Sequence, residues 1–242
     1  MCLLIYFYGS MYWPLEYLRS SVFEQSGTWW KLTAMGLVAK VYLYKYIGVW
    51  HCAEAACILS GITYDGINCY CHTNVNLPKF EMAHNFTSII SSYNITTNTF
   101  AFKYIYRRLK FLGNSNLSKL ITLLFLSVWH GFASGYYFAF ATEFLLLYFE
   151  KHMANFWHLA QSKYSLHSDL LKPLIWIVGR LYTFYFIGIS FVSFMFLFAE
   201  IWLPILKSVY FAGHIFLLTT STCFLLLDFF CCAQAPSPSH LK

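Results

Sequence analysis

The residue best placed to do chemistry is His130, which sits deep in an apolar run from Leu120 to Phe149. A titratable side chain at membrane depth is costly and faces a cavity or a partner when it occurs. Imidazole accepts a proton near neutral pH, which makes it the natural general base. Ser127, His130 and Ser134 recur at i, i+3 and i+7, a spacing that predicts one polar stripe on a lipid-facing helix. A core histidine hydrogen-bonded between helices fits the same isolated position equally well.

A second candidate is Asn94, whose amide could orient reacting groups or donate a hydrogen bond to a developing oxyanion. An ordinary turn asparagine is the plain alternative. Lys103, Arg107, Arg108 and Lys110 form the one basic cluster. They could hold phosphates. For any one of the four, a basic side chain snorkelling to lipid headgroups is the reading favoured by its apolar surroundings. Glu143 and Arg180 are lone charges in apolar runs, so a mutual ion pair between helices is expected. His214 is a further polar residue of this kind and is not assigned to catalysis.

These groups must be positioned by helices in lipid. The chain of 242 residues is 59% hydrophobic and only 11% charged. Soluble domains carry about a quarter charged residues, so a water-covered surface is excluded. The net charge of +6 is dispersed, which argues against nucleic acid and for an anionic membrane surface or ligand. The eight cysteines form no disulfide framework. Cys69, Cys71 and His72 make half a metal site with no second half, so no metal is expected.

Apolar stretches predict spans over Trp29 to Ile62, Leu120 to Phe149, Leu174 to Phe198 and Val209 to Cys232. Leu120 to Phe149 is too long for one upright helix, so two segments should meet near Trp129-His130-Gly131. Trp29 to Ile62 should be one tilted helix or two pieces. Ser60 to Asn98 reads as a loop dipping back toward the membrane, and Lys151 to Lys172 as a polar connection. Thr99 to Leu112 reads as an amphipathic helix at the interface, closed by Gly113. Lys79, Lys103, Arg107, Arg108, Lys110 and Lys119 place that region on the cytoplasmic side. The expected fold is therefore an all-α integral membrane bundle of four to six embedded helices. Residues 1–28 should form a partial hydrophobic segment, 29–232 the membrane domain and 233–242 a disordered tail.

Three segments together resemble one family. They are Ser92-Tyr-Asn94-Ile-Thr-Thr-Asn98-Thr-Phe100, then Tyr104-Ile-Tyr106-Arg107-Arg108, then Val128-Trp129-His130-Gly131. With Glu143-Phe-Leu and Lys207-Ser-Val-Tyr-Phe-Ala-Gly-His214, they are similar to the membrane-bound O-acyltransferase family, in its lysophosphatidylcholine acyltransferase branch. Phe100 stands where that branch usually has Trp, and full members are much longer.

The resemblance implies transfer of an acyl group from acyl-CoA, as co-substrate, to a lysophospholipid hydroxyl in the endoplasmic-reticulum membrane. His130 would be the base, Asn94 its partner, and the basic cluster a contact for the CoA phosphates. No bound cofactor is implied. The helix and the loop carrying His130 and Asn94 should then face one cavity. Rival readings are a non-catalytic piece that keeps the core sequence but cannot enclose substrate, and a transporter. The first leads to the expectation that these 242 residues alone turn over little or nothing. The second lacks the internal symmetry such folds show.

Overall fold

The charge and turn chemistry of the chain set where its helices stop. The computed structural model describes residues 1–64, 66, 73–164 and 168–234. Among them, the regular elements are all helical. In chain order they are α1 (Cys2–Tyr12), α2 (Ser21–Gln25), α3 (Thr28–Leu59), α4 (Leu77–Glu81), α5 (Phe86–Ser92) and α6 (Ile95–Phe100), followed by α7 (Ser115–His130), α8 (Ser134–Tyr164), α9 (Ser168–Phe196), α10 (Ala199–Lys207) and α11 (Ala212–Gln234). The half-site at Cys69, Cys71 and His72 lies outside the described residues, as does the tail from 235.

Trp29 to Ile62 folds as the single helix α3, against which α1 and α9 pack. Its contact with α9 depends on Gly188. A Cβ there would lie 2.6 Å from the Gly36 nitrogen and 2.8 Å from the Met35 carbonyl carbon. Small residues allow such close approach, and in lipid it is packing rather than water exclusion that holds helices together. Met35 and Val38 of α3, Val192 of α9 and Leu206 of α10 are wholly enclosed around this contact. Lys40, mid-way along α3, is matched by Glu81 of α4 at 2.8 Å, which offsets a charge in an apolar helix.

The run from Leu120 to Phe149 does break in two. Helix α7 ends at His130, Gly131 takes φ +130°, and α8 starts at Ser134. That φ is strained for any side chain, so the break belongs to the glycine. It also overturns the expected polar stripe, because Ser134 is on a different helix from Ser127 and His130. Ser127 is buried and donates to the Leu123 carbonyl at 2.9 Å, while Ser134 donates to the Leu197 carbonyl at 3.2 Å.

Two expected connections are instead helical. Between Ser60 and Asn98 lie α4, α5 and the start of α6. The asparagines that suggested a loop are caps: Asn76 accepts from the Lys79 N–H at 3.1 Å and Asn85 from the Ser88 N–H at 2.7 Å. Lys151 to Lys172 is also mostly helix, since α8 continues to Tyr164 and α9 begins at Ser168. Lys151 to Tyr164 contains no glycine or proline to stop it.

The segment from Thr99 to Leu112 is helical and ends at Gly113, φ +66°, as expected. It is not a regular α-helix. A π-turn covers Ala101–Ile105 and a 3-10 helix Tyr106–Leu112. The wide turn followed by the tight one removes the fixed 3.6-residue period on which the expected amphipathic helix rests.

Among the described residues, one helix, over Leu171–Phe196, is long and apolar enough to cross a bilayer, and little of it is buried inside the bundle. The pair α10 and α11, bent by 80°, qualifies as a second span if taken together. Leu174, Ile177, Val178 and Leu181 on α9, and Leu218, Leu225, Leu226 and Leu227 on α11, are exposed. An apolar exterior of this kind suits lipid and not water.

Candidate active site

The break at Gly131 leaves His130 as the last residue of α7, aimed at the start of α8. Its imidazole lies among the rings of Tyr136, Phe140 and Phe194, with centroids 5.2 to 5.4 Å away. Among the described residues it has no hydrogen-bond partner. Held by rings alone, both its nitrogens are uncommitted and one can accept a proton.

His130 lines a cavity of about 220 Å³. The other polar side chains there include Tyr46, Tyr93, Asn94, Asn98, Glu143 and Ser190, on a wall that is mostly apolar. Asn94 and His130 thus share one cavity, although they are far apart in sequence.

The corner carrying Asn94 is tightly specified. Asn94 adopts the left-handed conformation, φ 51°, ψ 47°, and starts α6. Asparagine tolerates this region better than most residues. Asn74 holds the turn from outside: its carbonyl accepts from the Ile95 N–H at 2.9 Å, its side chain from the Thr96 N–H at 2.9 Å, and its amide donates to Asn94 Oδ1 at 3.4 Å. The amide of Asn98 closes the corner by donating to the carbonyls of Ile90 and Tyr93 at 2.8 and 2.9 Å.

Two long helices then fasten this corner to the bundle. The carboxylate of Glu150 on α8 accepts from the backbone N–H groups of Phe86 and Thr87 and, at 2.9 Å, from the Thr87 hydroxyl. An anion at a helix N-terminus satisfies donors that the helix itself leaves open. On the other side, Arg180 of α9 donates to the Ala83 carbonyl at 2.9 Å, and Thr183 reaches the same oxygen at 3.3 Å. Glu150→Ala should therefore lower the melting temperature and loosen Asn94. We expect a loss of about 1–3 kcal/mol, the usual cost of stranding such donors. Glu150→Gln, which keeps an acceptor, should lose less. Equal melting temperatures for all three proteins would show that the clasp does not hold the corner.

The expected Glu143–Arg180 pair does not form. Arg180 is engaged with Ala83, and Glu143 turns into the His130 cavity, where no ion pair or hydrogen bond reaches it among the described residues. His214 is buried against Phe138 with Nε2 3.2 Å from the Thr142 hydroxyl, away from His130. Lys103, Arg107, Arg108 and Lys110 are all exposed and line no part of the His130 cavity. A larger open groove of about 1730 Å³ runs between α5, α8 and α9 and meets the cavity at Ile90 and Asn98. Lys119 and Lys151 border that groove.

Sequence reasoning did not find the cavity position of Glu143, the clasp through Glu150 or the support from Asn74. An acidic residue inside an apolar run was a usable signal for the two glutamates. Nothing in the local sequence marks Asn74.

The sequence model of the membrane-bound O-acyltransferase family, MBOAT, matches residues 1–198. Lysophospholipid acyltransferase 5 of Rattus norvegicus is 36% identical over 211 residues, covering 84% of this chain and 43% of the relative. The Homo sapiens protein of that name is 33% identical over 237 residues, covering 94% and 47%. The Drosophila melanogaster protein is 34% identical over 222 residues, covering 86% and 44%. The chain thus spans under half the length of these curated relatives.

Proposed function

The chain belongs to the membrane-bound O-acyltransferase family, and from that premise we propose that the protein transfers a fatty acyl group from acyl-CoA to the free hydroxyl of a lysophospholipid. The observation that carries the reading is the cavity shared by His130 and Asn94, lined mostly by apolar side chains that suit lipid chains. The relatives named lysophospholipid acyltransferase 5 support the substrate class.

In this reaction the lysophospholipid oxygen attacks the thioester carbonyl, the C–O bond forms and the C–S bond breaks. His130 takes the hydroxyl proton and returns it to the departing CoA sulfur. Asn94 donates from its amide to the carbonyl oxygen as charge develops there, where a preorganised donor is most effective. Lys103, Arg107, Arg108 and Lys110 meet the CoA phosphates outside the cavity. Their exposure is compatible with this, because the pantetheine arm separates the thioester from the nucleotide. We place the protein in the endoplasmic-reticulum membrane, with acyl-CoA as donor and a lysophospholipid as acceptor.

The test is expression of the complete gene product in membranes lacking endogenous activity. Lysophosphatidylcholine and a polyunsaturated acyl-CoA should together give phosphatidylcholine and free CoA thiol in equal amounts. Absence of product with both substrates present would sink the proposal.

A second reading, a membrane chain that keeps the core residues but does not seal a chamber, is favoured by one observation. Val128, Trp129 and Phe132 are exposed immediately beside His130. Acyl transfer needs a site closed to water, so that the thioester is not hydrolysed. Under this reading the 242 residues alone insert into membranes and show little or no transfer.

A further inference from the structure

Glu143 is an acidic side chain in a lipid-facing helix bundle with no counter-ion among the described residues. Charged groups at such depth are expensive, and ordinarily a paired partner offsets them. The one basic residue in reach of that role by sequence, Arg180, is committed to the Ala83 carbonyl. Lys40 is committed to Glu81 at 2.8 Å, and the buried Lys31 of the same helix to the Ser208 carbonyl at 3.4 Å. No structural need that the fold reveals explains Glu143.

Its location does suggest a use. Tyr136, Phe140 and Glu143 recur at i, i+4 and i+7 along α8, which places them on one face of that helix. The first two hold the His130 ring, and Glu143 continues the same face into the cavity that His130 lines. Among the described residues, no other acidic side chain lines this cavity. When His130 removes the hydroxyl proton it becomes a cation surrounded by Trp129, Tyr136, Phe140 and Phe194, with no hydrogen-bonding carboxylate of its own. In a low-dielectric cavity an anion acts over several ångströms with little screening.

We infer that Glu143 is a positioning residue for the acyl transfer, whose carboxylate offsets the charge of the His130 imidazolium across the cavity they share. The inference rests on the acyltransferase reading given above. The proton balance is unchanged by it. The hydroxyl proton goes to His130 and then to the CoA sulfur, and Glu143 neither gains nor loses one. The two side chains do not touch, so the effect is through space, with substrate between them.

Glu143→Gln tests the charge directly, because glutamine has the shape and hydrogen bonding of the neutral acid. In the complete gene product, we expect kcat to fall roughly 10- to 100-fold, within the range that acid–base groups contribute. KM for lysophosphatidylcholine should stay within about twofold, since ground-state binding is untouched. Glu143→Asp should recover a good part of kcat. A purely structural role would instead lower folded protein and leave the kcat of the remainder intact.

A Glu143→Gln enzyme with unchanged kcat overturns the inference, as does one whose KM alone rises. Wild-type protein without turnover would sink the acyltransferase reading, so a second measurement is independent of activity. Diethyl pyrocarbonate, which acylates neutral imidazole, should modify His130 in the detergent-solubilised complete gene product, read by peptide mass spectrometry. The midpoint of that modification against pH should move to lower pH in Glu143→Gln, because loss of the anion disfavours the imidazolium. An unchanged midpoint would show that the Glu143 carboxylate does not act on the imidazole and overturn the inference by itself.

Discussion

Replacing His130 by alanine should lower acyl transfer by about 10²- to 10⁴-fold in the complete gene product, the range expected for loss of a general base. The imidazole makes no hydrogen bond to the protein among the described residues, so its removal strands no partner. Its contacts are ring contacts with Tyr136, Phe140 and Phe194. Membrane insertion and yield should therefore be close to wild type. His130→Gln fills more of the same space and remains polar, yet cannot take up a proton near neutral pH. It should be as inactive as alanine. A variant of either kind that retains more than a tenth of wild-type turnover would remove His130 from the mechanism.

Asn94→Ala should cost about 10²- to 10³-fold in kcat, the size measured for loss of one oxyanion donor. A complication is built into this position, since the residue is left-handed at φ 51°. Alanine pays roughly 1–2 kcal/mol there, so a loss of rate could come from a displaced corner. Asn94→Gly separates the two causes. Glycine adopts the conformation freely but has no amide to donate. If the amide is chemical, both variants are slow and glycine is the more stable. Recovery of the rate in the glycine variant would mean that Asn94 serves only to shape the turn.

The residues that bear on this site differ in how openly the sequence displayed them. The break beside His130 was legible, because an apolar run too long for one helix contained Gly131, and φ +130° is the geometry glycine alone accepts easily. The all-helical class was legible from composition for the same reason: lipid leaves the backbone few other ways to satisfy its hydrogen bonds. The region before Asn94 misled because asparagine, serine and threonine serve loops and helix caps alike, and only the three-dimensional partners of Asn76 and Asn85 decide between them. Glu143 and Arg180 were paired by the rule that buried charges neutralise one another. Arg180 satisfied that need with a carbonyl oxygen instead, which no sequence pattern records. The π-turn at Ala101–Ile105 was invisible for a related reason, since hydrophobic spacing assumes the very winding that changes there.

The length of α3 has a consequence for the membrane itself. Its 32 residues rise about 48 Å, against a hydrocarbon core of about 30 Å. If α3 crosses the bilayer, as the apolar stretch from Trp29 to Ile62 leads one to expect, the surplus is accommodated by tilt or by emergence at the surfaces, and the balance depends on bilayer thickness. Leu43, Tyr46 and Trp50, midway along this helix and beyond, form one wall of the His130 cavity. The other walls belong to α5, the corner at Asn94, the end of α7, α8 and α9. A thicker or thinner bilayer therefore acts on the shape of the chamber through the angle of a single helix. Under the proposed function, the geometry of the chamber would in this way be set in part by the lipid composition that its own reaction produces.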